Sequence, residues 1–413
     1  YLASFDLSNT RAVTLNAGGG TIDTNGNDTT MSQSIGGTGG LTKAGAGTLT
    51  LAGANSYQGA TTINGGTLAI SASGALANTS GLSINSATLR VSSVAALNQT
   101  VTLNGAATFD VVSAADGLSL SGHVGGFGSL VKTGAGSLTL LGTADYVGGT
   151  TVSAGSLIGS AANLKGDIVN NARVTFGQET SDGLYSGVMS GTGTLGKFGA
   201  GTLTLTGLNT YEGGTHVTGG LVAVGLDANL GSATADIQLA TGGGLRFLSS
   251  FDLSAGRDIE LVTSGRISLV NSTNTIAGTI HGTGDLEIGG TGTLTLAGAN
   301  TFTGAISVAG VTLAVAADAN LGNAGNSLTL HGGTLRLLSS FDLVGTRALT
   351  LNAGGGTIDT NGNDTTIAQA IGGSGGLTKT GAGRLTFTGG NAYQGGTVIS
   401  GGTLAIASDA ALG

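Results

Sequence analysis

Proline, cysteine and tryptophan are absent from this chain of 413 residues, and only 9% of its residues are charged. Ordinary usage of about 5% would give roughly twenty prolines, and about a quarter of the residues would carry a charge. Because proline cannot donate to a ladder of backbone hydrogen bonds, its absence is typical of continuous strand pairing. The absence of cysteine excludes a disulfide framework but is compatible with an extracellular location.

The few charges also restrict the kinds of partner. The formal net charge is −8 and the pI is about 4.8, so we predict no nucleic-acid partner, since such a partner needs a basic face. We also predict no membrane span in this fragment, because no apolar run is long enough to cross a bilayer as a helix. No signal peptide is recognisable at the start. The chain begins and ends inside repeats, which favours a fragment or a processed piece.

Glycine, in contrast, is unusually abundant. It supplies 81 of the 413 residues, against ordinary usage of about 7%. Disordered chains are rich in charge and poor in branched apolar residues. This chain instead has 39% hydrophobic residues, arranged in short alternating runs. The composition therefore favours a folded chain with many turns.

Five ungapped blocks of 34 residues repeat along the chain. The first block reads "GTGGLTKAGAGTLTLAGANSYQGATTINGGTLAI". The five blocks occupy residues 37–70, 126–159, 191–224, 282–315 and 373–406. A longer duplication relates residues 5–70 to residues 341–406, with 50 identities in 66 positions at an offset of 336.

A shorter unit of about 21 residues recurs within and between the blocks. One apolar position can be followed through eighteen copies, from Ile22, Leu41 and Leu68 to Leu404. We interpret the "GAGTLTLAG"-like segment inside each 27-residue step as an extra strand of that turn. Since a unit this small cannot bury its own apolar face, stacking is required.

The pattern therefore predicts an all-β fold. We expect a single-stranded, right-handed parallel β-helix (β-solenoid) with at least eighteen turns, continuous over residues 1–413. The hand follows the usual preference of strand crossovers. Alternation along a strand predicts that Leu49 and Leu51 face inward while Thr48 and Thr50 face outward. Equivalent inward positions are Leu138, Leu203, Leu294 and Leu385.

The block sequence resembles the passenger-associated transport repeat of Gram-negative autotransporters. The resemblance implies a β-helical passenger that a C-terminal membrane barrel carries to the outside. It does not imply one activity, because similar passengers include adhesins, self-associating proteins, toxins and proteases. The fourth block departs from the pattern: Ile288 replaces the lysine of the other blocks, and Phe302 replaces the tyrosine.

The segment "GGGTIDTNGND" at 18–28, repeated at 354–364, looks like half of a calcium loop. Its oxygen-bearing side chains are Asp23, Asn25, Asn27 and Asp28. A complete loop needs glycine at position 6 and glutamate at position 12. Neither copy supplies them, and "NGND" is strong turn chemistry. We therefore interpret both copies as turns and predict no metal site.

The remaining candidates for chemistry are weak. His123, His216, His281 and His331 occur singly, without a second ligand at a zinc-site spacing. No nucleophile elbow stands out, so we predict no enzyme, no catalytic residue and no cofactor. The tyrosines Tyr57, Tyr146, Tyr211 and Tyr393 share one block position and favour a structural role over sugar stacking. The tripeptide "KGD" at 165–167 faintly resembles an integrin-type motif and is typical of chance.

The threonines carry more weight. Threonine recurs on the outward side of the strands and predicts polar rows that bind another surface or a glycan. We therefore interpret the chain as an extracellular stalk of an autotransporter-like adhesin, which mediates or presents attachment or self-association. The expected partner is a host or bacterial surface glycan or protein, or a second copy. Two alternatives stay open: a scaffold for an enzyme or toxin domain outside this fragment, and an end-to-end subunit of a fibre.

Overall fold

The computed structural model describes residues 3–4, 6–7 and 10–413. Phe5, at which the long duplication begins, lies outside the described residues. The described residues form an all-β solenoid of parallel strands, with about 19 turns of about 21 residues each. The predicted class, a parallel β-solenoid with at least eighteen turns, is confirmed. The chain divides into two compact units, one of Tyr1–Gly177 with Gly183–Gly196 and one of Gln178–Asp182 with Lys197–Gly413.

The strands are short because a glycine or asparagine corner interrupts the chain every few residues. The first unit begins with β1 Val13–Leu15, β2 Gly20–Asp23, β3 Thr29–Met31, β4 Ile35–Gly37, β5 Leu41–Ala44, β6 Thr48–Leu51, β7 Thr61–Ile63, β8 Thr67–Ile70, β9 Gly81–Ile84, β10 Thr88–Val91, β11 Val94–Leu97 and β12 Thr100–Leu103. It continues with β13 Ala106–Val111, β14 Gly117–Leu120, β15 Val124–Gly125, β16 Ser129–Thr133, β17 Ser137–Leu140, β18 Thr150–Val152, β19 Ser156–Gly159, β20 Ile168–Asn170, β21 Arg173–Gly177, β22 Gly183–Tyr185, β23 Met189–Ser190 and the start of β24 Thr194–Phe198.

Three parallel sheets form the faces of the first unit. One follows the order β3-β6-β8-β10-β13-β16-β18-β20-β23, the second the order β2-β5-β7-β9-β12-β15, and the third the order β11-β14-β17-β19-β21. Each strand thus pairs with the strand one turn earlier and the strand one turn later. Strands of neighbouring turns lie about 4.8 Å apart.

The second unit has longer strands in the middle and three 3-10 turns. Its elements begin with β25 Thr202–Leu205, β26 Thr215–Val217, β27 Leu221–Val224, η1 Asp227–Leu230, β28 Ile237–Leu239, β29 Gly244–Phe247, β30 Asp252–Leu253, β31 Ile259–Leu261, β32 Ser264–Ile276, β33 Ile280–Gly282 and β34 Asp285–Leu296. They continue with β35 Ile306–Ala309, β36 Thr312–Val315, η2 Asp318–Leu321, β37 Leu328–His331, β38 Gly333–Leu337, β39 Leu349–Leu351, β40 Gly356–Asp359, β41 Thr365–Ile367, β42 Ile371–Gly372, β43 Leu377–Thr380, β44 Arg384–Phe387, β45 Thr397–Ile399, β46 Thr403–Ile406 and η3 Asp409–Leu412.

Parallel pairing between successive turns also builds the second unit. Its main sheet follows the order β25-β27-β29-β32-β34-β36-β38-β40-β43-β45. The branch β34-β35-β37-β39-β42 and the sheets β26-β28-β31-β33 and β41-β44-β46 complete the faces.

The core lies inside the solenoid and follows the predicted alternation. In β6, Leu49 and Leu51 are fully buried, whereas Thr48 and Thr50 are partly exposed. The equivalent leucines of the other blocks, Leu138, Leu203, Leu294 and Leu385, are also buried with no exposed area. Because the backbone ladder holds successive turns in register, each inward side chain packs on the inward side chains above and below it.

Two details of the predicted register are wrong. Leu41 pairs with Thr61 in one sheet, whereas Leu68 pairs with Leu49 in another. The eighteen followed positions therefore mark successive turns without forming one column. The "TLTL" strand is the direct neighbour of the following "TLAI" strand, so it is a regular strand of its own turn and no extra strand is present. The alternation rule shows which side chains face inward but not which of three faces a strand joins.

Within the described residues, no helix is long and apolar enough to cross a bilayer.

Candidate interaction surface and the polar interior of the blocks

The calcium-like segment at 18–28 is a corner between two strands. The Oδ1 atom of Asp23 accepts a hydrogen bond from the backbone N–H of Asn25 at 2.8 Å. Asn25 has a φ of 46° and Gly26 a φ of 82°, the left-handed conformation that these two residue types tolerate best. The Oδ1 atom of Asp28 accepts from the N–H of Thr48 on the next turn at 2.7 Å. Both carboxylates therefore hold backbone groups of the solenoid.

The copy at 354–364 has the same contacts. Asp359 accepts from the N–H of Asn361 at 3.0 Å, and Asp364 accepts from the N–H of Arg384 at 2.7 Å. The interpretation of both segments as turns is confirmed. Within the described part of the chain, no three His, Cys, Asp or Glu side chains gather as a metal site would require.

The four histidines lie on different turns. In His123 the Nε2 atom lies 3.0 Å from Oδ1 of Asp145, and the Nδ1 atom lies 3.1 Å from the hydroxyl of Thr143. The exposed fractions are 40% for the side chain of His123 and 72% for that of Asp145. An exposed contact of this kind contributes little to stability. The cluster is a surface contact between neighbouring turns.

The outward threonines stand in columns, as predicted. Strand pairing places one hydroxyl side chain on each of several successive turns. The first threonine ladder consists of Thr21, Thr42, Thr62, Ser83 and Thr102. The second threonine ladder consists of Thr48, Thr67, Thr88 and Thr108. The third, in the second unit, consists of Thr293, Thr312, Thr334, Thr357 and Thr378.

These three ladders are uncharged and partly or fully exposed. Each presents donors and acceptors at the strand spacing of about 4.8 Å. A different column passes through the fourth block, where Arg266 and Glu287 form an exposed ion pair at 3.2 Å. The surface along these three columns therefore presents hydroxyl groups, and Arg266 and Glu287 form a charge pair between turns.

The block tyrosines have the structural role that we predicted. The hydroxyl of Tyr57 lies 2.6 Å from the hydroxyl of Thr61, and Tyr211 makes the same contact with Thr215 at 2.6 Å. Burial raises the pKa of Tyr57 and Tyr211 to about 12. Tyr146 and Tyr393 pair with the threonine four residues later in the same way. The rings of Tyr57 and Tyr211 are buried and present no stacking surface.

The asparagine two residues before the aromatic residue joins two turns. The Oδ1 atom of Asn55 accepts from the N–H of Ile35 at 2.8 Å, and its Nδ2 atom donates to the carbonyl of Ala75 at 2.8 Å. Asn300 repeats this bridge in the fourth block. The amide thus satisfies backbone groups of the turns on both sides of its own.

The "KGD" tripeptide is exposed at a corner. Gly166 has a φ of 68°, and Oδ1 of Asp167 accepts from the N–H of Val188 at 2.8 Å. Because the carboxylate of Asp167 accepts this backbone hydrogen bond between turns, a structural role explains the tripeptide without an integrin-type function.

The lysine of the blocks was not predicted to matter, and it occupies the interior. We call Lys43, Lys132, Lys197 and Lys379 the corner lysines; none exposes more than 1% of its surface. Each ammonium donates to the carbonyls of the residues one, two and twenty-two positions later. For Lys43 the acceptors are Ala44 at 2.9 Å, Gly45 at 2.7 Å and Gly65 at 3.1 Å. The other three corner lysines make the same set of contacts.

Three carbonyl acceptors match the three protons of an ammonium. Two belong to the corner that follows the lysine, and the third belongs to the corresponding corner of the next turn. Burial lowers the pKa of Lys132 and of Lys197 to about 8, and nearby carboxylates oppose this shift. The pKa of Lys43 and that of Lys379 are lowered for the same reason.

The fourth block replaces the whole polar set. Ile288 stands at the lysine position, Phe302 at the tyrosine position and Ile306 at the threonine position, and all three are buried. In this block β34 continues through the corner as one strand. It pairs with β32 with a register shift between Val270 and Ser272, and its two ends pair with β35 and β36. The joint replacement of the three residues was the sequence signal that could have identified the internal polar set.

Two buried arginines lock turns of the second unit and were also missed. Arg257 contacts Asp227 at 3.0 Å and donates to the carbonyls of Leu230 and Ala235. Arg347 contacts Asp318 at 2.9 Å in the same arrangement. Neither arginine side chain has exposed area. Each pair joins residues about 30 positions apart, so local sequence patterns do not show it.

The chain matches the family described as the passenger-associated-transport-repeat at residues 41–70, 130–158, 195–224, 289–315 and 377–406. The chain therefore contains five copies of this repeat. The matched segments of this repeat protein contain the corner lysines, the block tyrosines and the leucines of the core. The match in the fourth block, 289–315, includes Phe302 at the tyrosine position and begins directly after Ile288 at the lysine position.

This repeat protein is similar to a curated protein, the adhesin BmaC autotransporter of Brucella suis biovar 1 (strain 1330). The two are 34% identical over 455 residues, which cover 92% of this chain and 13% of that protein. The chain thus spans about an eighth of the length of this relative. No solved structure gave a significant match.

Proposed function

We propose that this repeat protein is an extracellular β-helical stalk of an autotransporter adhesin on the surface of a Gram-negative bacterium. The observation that carries the proposal is the match of 92% of the chain to an autotransporter adhesin. The stalk mediates or presents attachment to a surface, or self-association. Its role is mechanical and non-enzymatic.

The fold supports the mechanical part of the proposal. Each turn pairs with the turns on both sides through backbone hydrogen bonds, and apolar side chains fill the interior. Such stacking gives stiffness by repetition, because each turn adds the same pairing contacts and the same buried apolar area. The contacts that the corner lysines, the asparagines and the arginines make between turns oppose separation of neighbouring turns.

The surface supports the attachment part. The three threonine ladders offer uncharged donors and acceptors on successive turns, which suits a glycan, a protein surface or a second copy. Many weak contacts along one surface bind through their number, since each further contact is intramolecular once the first has formed.

Display of the chain on non-adherent bacteria tests the proposal. In the mediating role, wild-type chain causes attachment or aggregation, and replacement of the five residues of the third threonine ladder by aspartate removes it. Replacement of the same five residues by serine is the matched control and keeps attachment, since serine retains the hydroxyl. If the aspartate variants attach as well as the wild type, the third threonine ladder does not mediate attachment.

The presenting role has its own test. A binding module fused beyond the chain should lose access to its target when turns are removed in register. Deletion of residues 69–89 removes one turn, because Leu68 pairs with Leu89. Attachment that depends neither on the ladder nor on the number of turns contradicts the stalk proposal.

A further inference from the structure

The strands of this solenoid are nearly interchangeable as pairing partners. The sequence "TLTL" forms both β6 and β25, and "TLAI" forms both β8 and β46. Backbone pairing does not depend on the side chains. A slip by a whole turn would therefore keep leucine inside and threonine outside. The folded state needs another feature to specify which turn follows which.

The corner lysines supply such a feature. For each of them, two acceptors belong to its own corner and the third lies twenty-two residues later. If a strand pairs with a wrong partner, the carbonyl of the residue twenty-two positions later is no longer next to the ammonium, which must then find another acceptor. A buried ammonium without its acceptors costs several kcal/mol, so the wrong pairing is penalised although the apolar pattern still fits.

The fourth block is the internal comparison. It has Ile288 in place of the lysine, and there β34 continues through the corner and pairs with β32 on both sides of a register shift between Val270 and Ser272. The strands β34 and β32 are the longest of the described residues, with 12 and 13 residues. The twelve paired positions of β34 and β32 specify register in this block by their number. The four blocks with a lysine have strands of five residues or fewer at this place.

We propose that the corner lysines are register keys, which select the correct neighbouring turn during folding. The best-attested use of a buried polar or charged group is the specification of register. The proposal concerns folding and does not depend on the proposed function. Attachment experiments on the folded protein therefore test the stalk proposal, and pairing experiments on the refolding chain test the register keys.

The absence of cysteine makes the experiment direct, because introduced cysteines report pairing without a background. Thr42 pairs with Thr62, and Thr62 pairs with Ser83. The variant pair T42C with T62C reports native pairing. The pair T42C with S83C reports a slip of one turn, since residues two turns apart lie beyond disulfide reach in the native fold.

Each cysteine pair is placed in the full chain with Lys43, with K43M and with the exposed control K165M, then unfolded, refolded and oxidised. We expect slipped crosslinks at least several-fold more frequent in K43M than with Lys43 or in K165M. If K43M gives native crosslinks and no slipped ones, the proposal is overturned and the lysine has only a stabilising role.

A milder variant covers the case in which K43M does not fold. K43Q keeps two donors but lacks the third proton, and we expect it to give slipped crosslinks at a level between those of Lys43 and K43M. If K43M recovers no strand signal and K43Q gives native crosslinks only, the lysine acts through stability and the proposal is overturned.

Discussion

Truncation of one inward leucine should destabilise the solenoid locally and strongly. Leu138 lies in β17 without exposed area, between Leu118 one turn before and Leu157 one turn after. Replacement by alanine removes about three carbon atoms, which corresponds to roughly 2–3 kcal/mol of lost burial. The pairing of β17 on both sides prevents collapse of the cavity. We therefore expect a total cost in the upper part of the usual range, about 3–5 kcal/mol.

The measurement must be local, because the stability of a repeat protein is a sum of terms from neighbouring turns. Hydrogen exchange of the amides in β14, β17 and β19 measures the free energy of opening at this place. The matched control is Thr139→Ala, one residue later on the outward side, with an expected cost below about 0.5 kcal/mol. If the two variants change the opening free energy equally, the assignment of inward and outward faces is wrong.

Four further predictions follow from contacts described above. Because burial lowers the pKa of Lys132 to about 8 while an unfolded lysine titrates near 10.5, the unfolded chain holds more protons between these values. The free energy of unfolding should therefore rise with pH over this window, and Lys132→Met should flatten that slope in pH-dependent melting. Asp318→Asn leaves the buried Arg347 without its counter-charge and should cost about 3–5 kcal/mol by chemical denaturation; an effect below 1 kcal/mol would contradict the lock. Tyr146→Phe should cost about 1 kcal/mol through its lost contact with Thr150, whereas Tyr146→Phe combined with Thr150→Ile, which copies the fourth block, should recover part of the loss in a double-mutant cycle. Finally, chelator should leave the melting temperature unchanged, because backbone contacts already use the carboxylates of the two "GGGTIDTNGND" copies; a drop that added calcium reverses would restore the metal interpretation.

Alternation and turn chemistry were sufficient to predict the class of fold. The burial of Leu49 beside exposed threonine, and the corner at Asn25 and Gly26, follow from rules that act within a few residues. The columns of threonine follow as well, since stacking equal units places equal positions above one another. The right-handed coiling of the β-helix that we expected stays a prediction.

Contacts through space could not be predicted from the same rules. Leu41 and Leu68 have the same local pattern, and only pairing with other turns assigns them to different faces. Alternation from Leu41 places Lys43 on the inward side, whereas a charged group inside an apolar core contradicts the hydrophobic pattern. The two local rules therefore disagree at this position. The acceptors of Lys43 are backbone carbonyls, which carry no sequence signature. Arg347 and Asp318 are separated by 29 residues, farther apart than any local rule extends.

The threonine ladders have a consequence for how a ligand would be held. The third ladder offers five equivalent hydroxyl groups, one on each of five turns. A ligand that covers two turns has four equivalent placements along it, and this degeneracy alone favours binding by RT ln 4, about 0.8 kcal/mol. The ligand can also step from one placement to the next without leaving the surface. Under a force along the solenoid, a ligand on such a surface would move to the next placement and remain bound.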